Sequence, residues 1–176
     1  MGSESDKLFA HGVDCTPGVD SAFVAHTWSR VRTRKLASLS PRDLVAKLHP
    51  VPLLDIEALA HSDMESNERN TRDPFTLWKM LGEARGVRHM IDNTEIMIAI
   101  ASYMERWNPS DMQLEAARMR RDGVLFRRAA AHLSNSVITS NSLNISLYAH
   151  EVASTYYKMT ERLRTSMNVS PHVAGA

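Results

Sequence analysis

At 176 residues the chain has room for one domain with a real core, and 43% hydrophobic against 23% charged residues excludes wholesale disorder. No run approaches the roughly 18 consecutive apolar residues of a membrane span, and the most apolar window, residues 96–104, belongs in a core. A single cysteine, Cys15, excludes an intramolecular disulfide, and the opening Met-Gly-Ser-Glu-Ser-Asp lacks the basic start and apolar run of a signal peptide, so a reducing, cytoplasmic setting is expected.

The net charge of +1 hides an uneven distribution. Residues 1–20 hold four acids and one Lys, residues 21–42 hold five bases (Arg30, Arg32, Arg34, Lys35 and Arg42) and no acid, and residues 43–73 hold seven acids and three bases. Such a basic block either binds an anion or pairs with its acidic flanks.

In chain order, residues 1–18 carry three of the seven glycines and no helical period, and are expected as a flexible arm. A first helix is expected from Asp20 or Ser21 through Phe23, Val24, Trp28 and Val31 toward Leu39. Ser40-Pro41-Arg42-Asp43 restarts a helix with a cap, a proline at the first position and an acid in the first turn; that helix must end before Pro50. Residues 53–61 form a further short helix, completing a cap over residues 19–61, and the polar residues 62–72 read as a linker. Asp73-Pro74 then opens the first of three long helices that fill residues 73–167, leaving residues 168–176 as a flexible tail.

The first long helix carries Val87, Met90, Ile91, Thr94, Met97, Ile98, Ala101 and Met104 on one face, with a second stripe of Ile96, Ile100, Tyr103 and Trp107. Gly82 and Gly86, four apart near its start, point to close backbone packing or a bend. Asn108-Pro109-Ser110-Asp111 turns the chain into an antiparallel second helix. There Met112, Ala116, Met119, Gly123, Phe126, Ala130, Leu133 and Val137 keep a strict alternation of four and three. Ile145, Ala149, Val152, Tyr156, Met159 and Leu163 do the same in the third. A 3.5-residue period holds one seam against one partner along a whole helix. Gly123 sits in the seam, which suggests a bulky crossing residue, an aromatic of the last helix. Ser, Thr and Asn occupy nine of the thirteen positions from 134 to 146, so the hairpin tip is expected there. The fold class is all-α: an antiparallel bundle of three long helices with shorter N-terminal helices packed as a cap.

Chemistry is sparse. The second long helix carries Arg118, Arg120, Arg121, Arg127 and Arg128, opposed locally only by Glu115 and Asp122. Arg118, Arg121 and Arg128 share one flank of the seam and Arg120 and Arg127 the other. Guanidinium groups suit phosphate contacts, but they equally suit ion pairs to Asp92, Glu95 or Glu105. Glu57 with His61, and His89 with Asp92, have spacings that share a helix face, yet the converging Glu-x-x-His units of a helical di-iron site are missing. His132 and His150 flank the hairpin tip. There is no nucleophile elbow, phosphate loop or dinucleotide fingerprint, so neither catalytic residue, metal nor cofactor is expected.

Asp73-Pro74 before a helix with Leu81-Gly82, followed by Asn108-Pro109 before Leu114-Glu115-Ala116-Ala117-Arg118, resembles the helical hairpin of tobamovirus-type coat proteins over less than half of the chain. The resemblance implies side-by-side assembly and RNA binding. Two functional readings result. In the first, the chain is a non-enzymatic interaction or assembly protein that meets a protein partner or itself through apolar helix faces. Its packing and interface positions are then Met112, Met119, Gly123, Phe126, Leu133, Val152, Tyr156, Met159 and Leu163. In the second, it binds nucleic acid through Arg118, Arg120, Arg121, Arg127 and Arg128 together with Arg30, Arg32, Arg34 and Lys35.

Overall fold

A computed structural model describes Leu36, residues 38–62 and residues 72–169. These form six helices and no strand: α1 (Pro41–Ala46), α2 (Leu53–Ser62), α3 (Pro74–Met80), α4 (Glu83–Trp107), α5 (Pro109–Ile138) and α6 (Ser142–Val169). The expected arm, nearly all of the helix expected over residues 20–39, residues 63–71 of the linker and the tail beyond 169 lie outside the described residues.

The short helices begin where their caps dictate. The Ser40 hydroxyl oxygen accepts from the Asp43 amide at 3.2 Å, Pro41 occupies the first turn, and Leu44 is buried beneath it. Asp73 caps α3 in the same way, accepting from the Thr76 amide at 3.0 Å and the Thr76 hydroxyl at 3.2 Å. Each cap satisfies an amide that the first turn leaves without a helical partner. Helix α2 buries Ile56, Leu59 and Ala60. Helices α2 and α3 pack on α6, and α1 packs on α4.

The helix opened by Asp73-Pro74 does not run through to Trp107. It stops at Met80 and restarts at Glu83, because Gly82 (φ 79°) and Glu83 (φ 57°) both adopt the left-handed conformation. The Gly82 amide donates to the Lys79 carbonyl at 2.9 Å to close α3, and the Gly82 carbonyl accepts from Gly86 at 2.8 Å to open α4. Gly86 lies directly on the Leu81 carbonyl, where any Cβ would overlap backbone. The pair of glycines four apart therefore marks a tight break with close backbone packing.

Three long helices follow. Asn108 alone links α4 to α5: its amide donates to the Met104 carbonyl and its carbonyl accepts from Met112. Across α4 and α5, Glu105 meets Arg120 and Ile98 meets Gly123; across α5 and α6, Phe126 meets Tyr156 and His132 meets Tyr148. Numbers rise on one helix as they fall on its neighbour, so both pairs are antiparallel.

The seam of α5 is buried from Met112 to Leu133, with Val137 half-buried at its end, and all six seam positions of α6 are buried. On α4 the first stripe enters the core along its length, while the second does so at Ile96 and Ile100 and then leaves it, with Tyr103 half-buried and Trp107 73% exposed. The residue that crosses Gly123 comes from α4 and not, as an aromatic, from α6. A Cβ there would meet Ile98 Cδ1 at 2.5 Å and Thr94 Cγ2 at 3.2 Å. Helix α6 places its aromatic, Tyr156, one turn further on, against Phe126 with ring centres 5.8 Å apart.

The hairpin tip is narrower than its composition suggests. Helix α5 continues to Ile138 and α6 begins at Ser142, leaving Thr139, Ser140 and Asn141. The hydroxyls of Ser134, Ser136 and Thr139 donate to carbonyls four residues back, at 2.9, 2.8 and 3.0 Å, and so ride along the helix instead of breaking it. The turn is a Schellman motif: Asn141 donates to the Ser136 carbonyl at 2.9 Å and Ser140 to Val137 at 3.2 Å, with Ser140 left-handed at φ 53°. The Asn141 side chain then accepts from the Asn144 amide at 3.2 Å and caps α6.

Two glycine substitutions separate backbone from side-chain constraint. Gly86→Ala forces the backbone to move and is expected to lower stability by about 3 kcal/mol or more. Gly123→Ala meets side chains and no backbone, the flexible end of Ile98 and the Thr94 methyl, and the roughly 1 kcal/mol gain in helix propensity offsets part of the crowding. Urea unfolding of the two variants should rank Gly86→Ala as clearly the more damaging.

Candidate functional site

The five arginines of α5 do not act as one patch. Arg118 pairs with Glu115 one turn back, at 2.7 Å. Arg120 reaches across to α4, where it donates to both carboxylate oxygens of Glu105, at 2.8 and 3.2 Å, and to the Ser102 hydroxyl at 3.3 Å. That hydrogen bonding holds the Glu105 carboxyl below its ordinary range and raises the Arg120 guanidinium. Arg127 is half-buried, while Arg121 and Arg128 are exposed and make no ion pair among the described residues. Asp122, the other acid of this stretch, is engaged by Arg162 of α6. Arg30, Arg32, Arg34 and Lys35 lie outside the described residues.

From Gln113 to Ile138 the exposed side chains therefore include Arg118, Arg120, Arg121 and Arg128 and no carboxylate, since Glu115 and Asp122 are half-buried and paired. Interleaved with the cations are Leu114 (59% exposed), Val124 (58%) and Leu125 (41%). At 100° per residue Leu114, Arg118, Arg121, Leu125 and Arg128 fall within one sector, opposite the buried seam. The back of α5 is thus both apolar and basic.

Met112, Met119, Gly123, Phe126, Leu133, Val152, Tyr156, Met159 and Leu163 are all buried between helices of the same chain. They pack the bundle and offer no surface to a partner. Further exposed apolar residues stand near the hairpin tip, with Ile138 and Leu143 each about four-fifths exposed and Leu147 more than half.

A polar node unmarked by any sequence motif lies in the core. Asn93, buried in α4, accepts from the His49 amide at 2.7 Å and donates to the His49 carbonyl at 2.9 Å and to the Tyr156 hydroxyl oxygen at 2.9 Å. Its amide thereby pins the loop between α1 and α2 to both α4 and α6. Burial pushes the Tyr156 hydroxyl up to about 12, against a partial lowering by Asn93. The one available signal was an amide at a buried register of an apolar helix, between Met90 and Met97.

The spacings considered for metal binding are occupied otherwise. Glu57 accepts from the Tyr157 hydroxyl at 3.4 Å, and His61 packs edge-on to the same ring. His89 stacks on His49 with ring centres 4.8 Å apart and its Nδ1 lies 3.3 Å from the Pro50 carbonyl; Asp92 lies 3.8 Å from His49 Nε2. His132 stacks on Tyr148, and the buried His150 sets Nδ1 3.2 Å from the Leu59 carbonyl. No group of three His, Cys, Asp or Glu side chains among the described residues is arranged to hold a metal ion. No helix among them is long and apolar enough to cross a membrane. No family model, curated protein or solved structure matches the chain.

Asn93→Leu strands the His49 amide and carbonyl and the Tyr156 hydroxyl, and is expected to cost about 3 kcal/mol, whereas Tyr156→Phe removes one acceptor and costs about 1 kcal/mol. His49→Ala should leave the node intact, because Asn93 holds only the backbone of His49; denaturant unfolding of the three variants checks that order. The raised Tyr156 predicts alkaline sensitivity. With the unfolded phenol near 10, stability is full below about pH 10 and falls by about 2–3 kcal/mol as pH rises through 12. Unfolding curves between pH 9 and 12 should show that Tyr156→Phe flattens this decline.

Proposed function

We propose that the chain is a non-enzymatic helical interaction protein that binds a protein partner through an apolar outer helix face. One observation carries this reading: the seams of α5 and α6 are closed within the chain, yet the back of α5 keeps Leu114, Val124 and Leu125 in water. Exposed apolar groups gathered on one face mark interaction surfaces more often than isolated ones do. The single cysteine and the absence of a membrane-spanning helix among the described residues support a cytoplasmic setting.

Nucleic-acid binding is the second reading, favoured by the exposed Arg121 and Arg128, which make no ion pair among the described residues, and by the coat-protein resemblance. It is the weaker one because Arg118 and Arg120 already hold Glu115 and Glu105. Counterion release would make such binding fall steeply with salt, and no RNA or DNA binding at about 50 mM salt removes it.

The interaction reading predicts that Leu114→Asp with Leu125→Asp leaves folding stability within about 0.5 kcal/mol of the parent, as surface changes do. The same variant should abolish self-association in light scattering or partner recovery by cross-linking in cells. A parent chain that stays a compact monomer at all concentrations and cross-links to no protein would end this reading.

A further inference from the structure

We propose that the back of α5 is a docking face for an acidic amphipathic helix of another protein. This rests on the interaction reading above and names the partner's chemistry. Leu114, Arg118, Arg121, Leu125 and Arg128 follow one another at alternating intervals of four and three residues. That interval makes a straight stripe about 21 Å long, the length over which a second helix can lie alongside. Val124 widens the stripe at its middle.

The composition of the stripe selects the occupant. An apolar helix would bury Arg121 and Arg128 without a counter-charge, which is costly. A second copy of this chain, placed face to face, doubles the cations and supplies no carboxylate, because none is exposed from Gln113 to Ile138. A phosphate backbone satisfies the guanidinium groups but leaves Leu114, Val124 and Leu125 without apolar contact. A helix that alternates Leu or Met with Glu or Asp satisfies both sets at once: its apolar residues cover the leucines and its carboxylates meet Arg121 and Arg128 in bidentate pairs.

The test pans a displayed library of helical peptides, about 21 residues long so that each forms a helix, against the full chain. The peptides carry fixed leucines at two positions of each heptad and random residues elsewhere. Selected peptides should be rich in Glu and Asp beside the leucines. Their affinity should fall at least about tenfold for Arg121→Glu/Arg128→Glu and for Leu125→Asp, and stay unchanged for Leu143→Glu at the hairpin tip, with all variants folded by circular dichroism. Peptides that come out neutral or basic, or that bind the variants as well as the parent, overturn the proposal. So does a single-stranded RNA that binds more tightly than any peptide and is lost with the two arginines, or a self-association lost with Leu125→Asp. If no peptide is selected while cross-linking still recovers a protein partner through Leu143 and Leu147, the docking assignment fails and the interaction reading stands. A chain that neither selects peptides nor meets any protein loses both.

Discussion

The amide of Asn93 joins three segments that are far apart in sequence: the loop before α2, the middle of α4 and the seam of α6. Buried polar groups are costly unless their hydrogen bonds are made, and here both N–H groups and one oxygen lone pair of the Asn93 amide have partners. Loss of the Asn93 amide would leave the His49 amide and carbonyl and the Tyr156 hydroxyl without these partners, so the node favours one arrangement of cap and bundle. Apolar contacts alone would allow the cap to slide along α6, since leucines and alanines tolerate small shifts; a directed set of hydrogen bonds does not. Tyr156 carries the constraint further, because its ring packs on Phe126 and so reaches α5 as well.

Much of the bundle was legible because its signals are local or periodic. The seams could be read from a 3.5-residue spacing; Ser40-Pro41 and Asp73-Pro74 located helix starts by the chemistry of orphan amides, and Asn108-Pro109 by the place of proline in a first turn. The break at Gly82 was readable only as one of two options, since a left-handed glycine and a tightly packed one have the same residue type. The polar stretch from 134 to 146 misled by composition: serine and threonine hydroxyls that bond back to carbonyls four residues earlier remain compatible with a helix. Asn93 gave little warning because its partners are two backbone groups and a phenol that only the tertiary fold brings together.

The arginine face shows the same division between local and tertiary information. Helical geometry was enough to separate Arg118, Arg121 and Arg128 from Arg120 and Arg127. It offered Glu105 as one of three partners without matching it to Arg120, and gave no sign that Arg162 would engage Asp122, since both contacts cross between helices. Those pairings remove the acids from the surface as well as one arginine from availability. Helix α5 thus has two distinct faces, one committed to its own chain and one whose unmatched cations lie among leucines.

The short turn at Asn108 also bears on how the chain closes its contacts. Glu105 and Arg120 are 15 residues apart, whereas His150 and Leu59, which bring α6 against α2, are 91 apart. Closing the longer loop costs roughly 1.5 kcal/mol more chain entropy. The hairpins of the bundle therefore start from contacts that are cheap to form, while the N-terminal segment must be captured from a distance. Asn93 stands at that long-range closure, where directed hydrogen bonds offset an entropy that neighbouring helices do not lose.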